Sequence, residues 1–254
     1  MATLFISDLH LSPQRPQIIQ LFFQFLQKQA SAAEALYILG DFFEFWIGDD
    51  AGLGPEYQPV NQALQQFTAS GIPVFFMGGN RDFLVGRDWA AHVGVQLMQQ
   101  ETVIDLYGER VLLLHGDSLT TDDEKQQAFR NMVMDPQWQA MFLSKPIPER
   151  LEMAQQARLE SQKHQSGMHE EIMDVNTDAV AAVMRKHGVT RLIHGHTHRP
   201  HMHELMLDGK PAQRIVLADW YERGNVLQVR KDRFELNYFD AKQSGQDNGG
   251  RAVK

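Results

Sequence analysis

Among its 254 residues the sequence contains no cysteine. That excludes disulfides, zinc–thiolate sites and a cysteine nucleophile, so any metal must be held by oxygen and nitrogen donors. Positive charge is also scarce: 24 Lys plus Arg stand against 32 Asp plus Glu, for a net charge of −8. Non-specific nucleic-acid binding needs a basic surface and is not expected. An anionic substrate stays open, because bound divalent cations reverse the field locally. No apolar run approaches the ~20 residues of a membrane-spanning helix. The opening "MATLFISDLH" lacks the basic region of a secretory signal, so a cytoplasmic protein is expected. What remains is ordinary for a globular chain, with 43% hydrophobic residues and enough length for one large α/β domain or two small ones.

Short apolar runs at 3–6, 36–39, 74–77, 111–114 and 191–193 read as buried strands. Helical stripes lie between them: Ile19, Phe22, Phe23 and Leu26 after Pro16, then Val60, Leu64 and Phe67. Ala179, Val180, Val183 and Met184 form a later stripe, closed by Gly188. Alternation of this kind predicts an α/β sheet covered on both faces. Beyond residue 200, "RIVLADW", "NVLQVRK" and "FELNYF" follow closely with no helix between them and suggest a second, mixed or antiparallel sheet. The expected architecture is two packed mixed sheets flanked by helices. Residues 122–174, rich in Gln, Glu, Lys and Met, read as inserted helices, with crossover helices the plainer alternative; 1–121 and 175–239 would form the core and 240–254 a polar tail.

The strand ends share a chemistry. "TLFISDLH" delivers Asp8 and His10, "LYILGD" delivers Asp41, and "VFFMGGN" delivers Asn80. "VLLLHGD" delivers His115, and "RLIHGHTHRP" delivers His194, His196 and His198. One strand ending in Asp or His is unremarkable; five in succession are not. Ligands of open α/β sheets bind beyond the carboxyl ends of the strands, so these ends should converge on one rim. These O and N donors are too many for one tetrahedral zinc but suit two adjacent cations sharing a carboxylate, with Asp41 the natural bridge. Such a pair clamps phosphate oxygens and an activated water in phosphoryl transfer. The spacing alone does not choose among the three late histidines.

In this order "DLH", "GD", "GN", "HGD" and "GHTH" resemble the calcineurin-like metallophosphoesterases over roughly residues 1–235. The resemblance implies Asp8, His10, Asp41 and His198 on one metal and Asp41, Asn80, His115 and His196 on the other, with His194 orienting them from behind. Two divalent cations, Mn foremost, are the expected cofactors; Asn80, Arg81, His115 and His196 are the expected catalytic set. Many members carry His where this chain has Arg81 in "GNRD". Guanidinium stays protonated, so Arg81 cannot be a general acid but can clamp phosphate. That suits a leaving group needing no proton, such as a phosphate monoester with second pKa near ~6, and points to a pyrophosphate bond.

"YILGDFFEFWIGDD", "GGNRDFL", "LLLHGDSLTTDD", "IMDVN" and "LIHGHTHRP" further resemble one branch, the UDP-2,3-diacylglucosamine hydrolases of lipid A biosynthesis. The implied reaction is water attack on the α-phosphorus of UDP-2,3-diacylglucosamine, giving UMP and lipid X at the cytoplasmic face of the inner membrane. A monomer is expected. Asn80, Arg81, Asp123, Arg158, Ser161 and His196 are implied in substrate binding, and the insertion becomes a lid over an acyl cavity. Its lining candidates are Trp46, Phe83, Trp138, Met141 and Phe142. Gln165 and Met168 depart from the branch's pattern. Asp82 could orient Arg81 or merely start a helix, and Asp117 and Asp122 could be caps. His201 and His203 are expected on a solvated strand face, and His92, His164, His169 and His187 on the surface. The rival enzyme is a broad-specificity dinuclear-metal phosphodiesterase, disfavoured by Arg81 and the insertion. The rival from another class is a protein-binding scaffold, disfavoured by a complete donor set.

Overall fold

The computed structural model describes residues 1–165, 174–231 and 233–240. Met168, His169 and residues 241–254 of the expected tail lie outside the described residues, as does the Gln165 side chain. In chain order the first elements are β1 (Thr3–Ile6), α1 (Pro16–Lys28), β2 (Ala35–Leu39), α2 (Asp49–Gly52), α3 (Gln58–Ala69) and β3 (Val74–Met77). They continue as α4 (Arg87–Val93), β4 (Gln96–Leu97), β5 (Thr102–Leu106) and β6 (Glu109–Leu113). Three helices follow, α5 (Glu124–Val133), α6 (Pro136–Leu143) and α7 (Ile147–Gln165), and then α8 (Thr177–His187). The last strands are β7 (Arg191–His194), β8 (His201–Leu207), β9 (Lys210–Val216), β10 (Gly224–Arg230) and β11 (Arg233–Phe239).

Two mixed sheets form, ordered β11-β10-β1-β2-β3-β4 and β5-β6-β7-β9-β8. The expected pair of sheets is therefore present, but its membership differs from the sequence expectation. Strands β6 and β7, expected in the first sheet, pair in parallel in the second. Strands β10 and β11, expected in the second, extend the first, with β10 antiparallel to β1. A parallel strand and an edge hairpin carry the same apolar pattern, so composition cannot assign either to a sheet.

Side-chain alternation explains how the layers stack. Leu4 and Ile6 of β1 point to the helices that cover the first sheet, whereas Phe5 points to the space between the sheets. Val111 and Leu113 of β6 meet it there, and Leu112 turns outward to Val180, Val183 and Met184 of α8. In α1 the buried face is Ile18, Leu21, Phe22, Phe25 and Leu26, with Ile19 and Phe23 only partly buried. The stripe is thus wider than, and rotated from, the one read from the sequence. α8 is capped as expected, with the Asn176 side chain accepting from the Asp178 and Ala179 N–H groups and Gly188 left-handed at φ 61°.

Between β6 and α8 the described residues form α5, α6 and α7. Arg150, 2% exposed, anchors the start of α7 by donating to the Ile47 carbonyl and the Asp50 carboxylate. Among the described residues no helix is long and apolar enough to cross a membrane.

Candidate metal centre

The five expected strand ends meet at one edge, where the two sheets face each other. β1, β2 and β3 bring Asp8, His10, Asp41 and Asn80 from the first sheet; β6 and β7 bring His115, His196 and His198 from the second. Two triads of donor atoms result, Asp8–His10–His198 and Asp41–His115–His196, each with its atoms within 4.8 Å of one another. His198 Nε2 lies 3.3 Å from Asp8 Oδ1 and 3.4 Å from His10 Nε2. In the other triad His115 Nε2 lies 3.0 Å from Asn80 Oδ1 and 3.4 Å from Asp41 Oδ1. Asp41 also reaches the first triad, its Oδ2 being 3.9 Å from His10 Nε2. One carboxylate thus touches both halves.

The backbone is distorted at these residues. Eight non-glycine residues have positive φ among those described, and five are in this set: Asp8 (57°), His10 (49°), Asp41 (50°), His196 (67°) and His198 (55°). Each such residue costs ~1–3 kcal/mol and persists only where its surroundings fix it. The turns are too tight for a side chain at Gly79, where an added Cβ would sit 2.3 Å from Asp41 Oδ1. Asp82 binds main chain rather than the Arg81 side chain. Its buried carboxylate accepts N–H groups from Gly79 (2.7 Å), Phe42 (2.8 Å), Asp41 (3.2 Å) and Phe43 (3.2 Å), tying the loop after β2 to the loop after β3. Ser7 Oγ donates to Asp8 Oδ2 at 2.5 Å, and the His196 N–H donates to the same oxygen at 3.0 Å.

Electrostatics separate the donors. Burial pushes Asp41 up to about 7, reinforced by the Asp8 and Asp82 carboxylates and opposed by His115. Burial works against a charged His115 as well, but the Asp41 and Asp8 carboxylates outweigh it and raise it to about 9. Burial, together with its cationic neighbours, holds His10 well below the usual imidazole value, and burial with His115 lowers His196 to about 3. Burial opposes ionisation of Asp8 too, yet the His198 hydrogen bond and the surrounding imidazoles keep it below the usual carboxylate range. His115 Nδ1 donates to the Leu39 carbonyl at 2.8 Å, so Nε2 faces the centre and carries the lone pair once the ring is neutral. The imidazoles and carboxylates, without thiolate, form an O/N donor set suited to a pair of divalent cations.

A cavity of about 1030 Å³ opens from the centre. Asn80, Arg81 and His196 line its polar end, and Trp138, Phe142 and Met153 its apolar end. Trp46 and Phe83 line it as well; Met141 does not and is 46% exposed. Three side chains on one face of α7 meet the polar end. Arg158 Nε pairs with Glu44 at 2.5 Å, Ser161 Oγ accepts from Arg81 at 3.3 Å, and His164 pairs with Asp123 at 3.0 Å. His164 is therefore not a free surface residue. His187 likewise pairs with Glu101 at 2.8 Å, while His92 and His201 are exposed as expected and His203 is half-buried. Asp117 is buried against Arg130 at 2.9 Å and Asp122 holds Asn176, so neither is a donor of the centre. His194 is fully buried behind the centre, with Nδ1 donating to the Gly195 carbonyl. Sequence reading missed Glu44, Gln126, Asp219 and Tyr221. Glu44 Oε2 is 3.5 Å from His10 Nδ1, and the Gln126 amide is 2.7 Å from His196 Nε2. Glu44 stands inside the quoted "YILGDFFEFWIGDD", three residues after Asp41, and the other three stand in no motif.

Residues 1–200 match the calcineurin-like phosphoesterase family. A relative from Stenotrophomonas maltophilia named UDP-2,3-diacylglucosamine hydrolase is 51% identical, covering 93% of this chain and 98% of the relative. One of the same name from Xanthomonas axonopodis pv. citri is 50% identical with the same coverage. Among solved structures, a novel archaeal phosphodiesterase aligns over 94% of this chain and 100% of its own, at 12% identity and a TM-score of 0.47. The chain belongs to the calcineurin-like phosphoesterase family and, within it, to the UDP-2,3-diacylglucosamine hydrolases.

Proposed function

We propose that the chain hydrolyses the pyrophosphate bond of UDP-2,3-diacylglucosamine by water attack on the α-phosphorus, releasing UMP and 2,3-diacylglucosamine 1-phosphate (lipid X) for lipid A synthesis. The observation that carries this reading is the continuity of the cavity, which runs from Asn80, Arg81 and His196 at the centre to an aromatic, apolar chamber beneath α6 and α7. A two-acyl substrate with a pyrophosphate needs both ends, and the named relatives agree with it.

Asp8, His10, Asp41 and His198 would hold one divalent cation, and Asp41, Asn80, His115 and His196 the other; the O/N donor set admits Mn, the cation foremost in the family resemblance. When bound, the pair supplies Lewis acidity and neutralises phosphate charge. The protein's own part is positional. Arg81 is half-buried, its buried Nε has no hydrogen-bond partner among the described residues, and it faces the cavity beside Asn80. Such a donor suits a pyrophosphate oxygen, which it clamps while charge moves onto the departing phosphate. Ser161 steadies the guanidinium, and Arg158 and Asp123 flank the headgroup. No proton donor is required, since the leaving phosphate is stable as an anion at neutral pH.

Residues 122–174 act as the lid on a core of 1–121 and 175–239. The enzyme works as a monomer at the cytoplasmic face of the inner membrane, where Phe129, Met132 and Leu159 on the lid, at 40%, 45% and 57% exposure, offer apolar contact. The test is incubation with UDP-2,3-diacylglucosamine in detergent with Mn. UMP and lipid X that vanish on chelation and return with Mn support the reading. Hydrolysis of a generic diester without UMP would favour a broad phosphodiesterase instead.

A further inference from the structure

The residues that follow β9 wall one half of the centre, and no motif carries them. Trp220 is fully buried; its backbone N–H donates to the Asp8 carbonyl at 3.0 Å and its indole N–H to the Asn225 carbonyl at 3.1 Å. This anchor sets its two neighbours on the donor histidines. Asp219 Oδ2 lies 3.4 Å from His198 Nδ1, and its Oδ1 accepts the Tyr221 N–H at 3.0 Å, which orients the carboxylate. The Tyr221 ring stacks on His10, with centroids 5.5 Å apart and planes 2° from parallel, and meets His198 edge-on at 5.6 Å. His198 is therefore spanned, with a carboxylate behind Nδ1 and Asp8 and His10 before Nε2.

In the other half the groups that touch the imidazoles are neutral, and the buried Asp117 carboxylate, which also acts on His115 and His196, is paired with Arg130 at 2.9 Å. His115 leans on the Leu39 carbonyl and His196 on the Gln126 amide. A carboxylate behind an imidazole accepts more strongly than a carbonyl, fixes the tautomer and makes the far nitrogen a better donor. Glu44 stands 3.5 Å behind His10, but Arg158 shares that carboxylate at 2.5 Å.

We infer that Asp219 is a positioning residue of the centre. It holds the His198 Nδ1–H so that Nε2 presents its lone pair beside Asp8 and His10, and so makes this the tighter of two unequal cation positions. The inference rests on the dinuclear reading above. It is tested by titrating the metal-free, full-length protein with Mn alone and reading free Mn by electron paramagnetic resonance. The wild type should show two classes of site. Asp219→Ala should weaken the tighter class by roughly 10- to 100-fold and leave the weaker unchanged. Asp219→Glu should recover part of the loss. If Asp219→Ala does not fold, as judged by circular dichroism, Asp219→Asn carries the test, because loss of charge alone should weaken the same class. Unchanged Mn affinities in the variant overturn the inference, as does a raised KM with both affinities intact, which would make Asp219 a substrate contact. A wild type that takes up no Mn overturns the dinuclear reading and this inference with it.

Discussion

Truncating Arg81 to alanine separates substrate clamping from metal retention, because the main chain and side chain of this residue have different tasks. Its backbone N–H donates to Asp41 Oδ1 at 2.8 Å and its carbonyl accepts the Trp46 N–H at 3.0 Å, and both contacts survive the substitution. Among the described residues the guanidinium makes one hydrogen bond, the 3.3 Å contact with Ser161, which the substitution removes. What disappears is a forked cation aimed into the cavity. Two charge-assisted hydrogen bonds at ~1.5–3 kcal/mol each amount to ~3–6 kcal/mol, or roughly a 10²- to 10⁴-fold loss in kcat/KM. Arg81→Lys keeps the charge without the fork and should recover only part of the rate. The assay is the initial rate of UMP release across substrate concentrations, with bound Mn measured on the same samples by elemental analysis. A loss under about threefold with Mn intact would remove Arg81 from the mechanism; a parallel loss of Mn would mean that its side chain acts in retaining the cations.

Other outcomes follow from the same geometry. Asp82→Ala strands four buried N–H donors; at ~1–3 kcal/mol each with partial relaxation, the loss should exceed about 3 kcal/mol and lower Tm by roughly 6–12 °C, and an unchanged melt would contradict this. Gly195→Ala would put a Cβ 2.2 Å from Asp8 Oδ2 and 2.3 Å from Ser7 Oγ, so Mn content should fall sharply, as elemental analysis would record. Cation binding requires an ionised Asp41 and a neutral His115, raised to about 7 and about 9, so Mn affinity should climb as pH rises through that window. The metal-free fold should respond in the opposite sense. His115 contributes stability fully below its ordinary 6.5 and loses it as pH approaches about 9, so melts in chelator should fall over that range, and a rising Tm would refute the assignment.

The donor residues were legible because the strand ends advertise them. Apolar runs of fixed length, each followed by Asp, Asn or His with glycine nearby, say that donors converge whichever sheet each strand joins. The sheet partners were not legible: β10 and β11 look like any hairpin, and only the register of Thr3 against Val229 shows that they complete the first sheet. Asp82 was half legible, since "GNRD" marks the spot, but three of its four backbone bonds exist only once two loops about 40 residues apart meet. Asp219 and Gln126 were invisible. Their work depends on distance to an imidazole nitrogen, and neither spacing nor composition encodes that. The face of α7 was similarly hidden, because a helix polar on most sides shows no stripe to say that Arg158, Ser161 and His164 point the same way.

Hydrolysis in water enriched in oxygen-18, with UDP-2,3-diacylglucosamine and Mn, tests the central claim most directly. Attack on the α-phosphorus predicts one heavy oxygen in the UMP and none in the lipid X, with no release of either after chelation. Heavy oxygen in the lipid X phosphate, or undiminished turnover without metal, would contradict it.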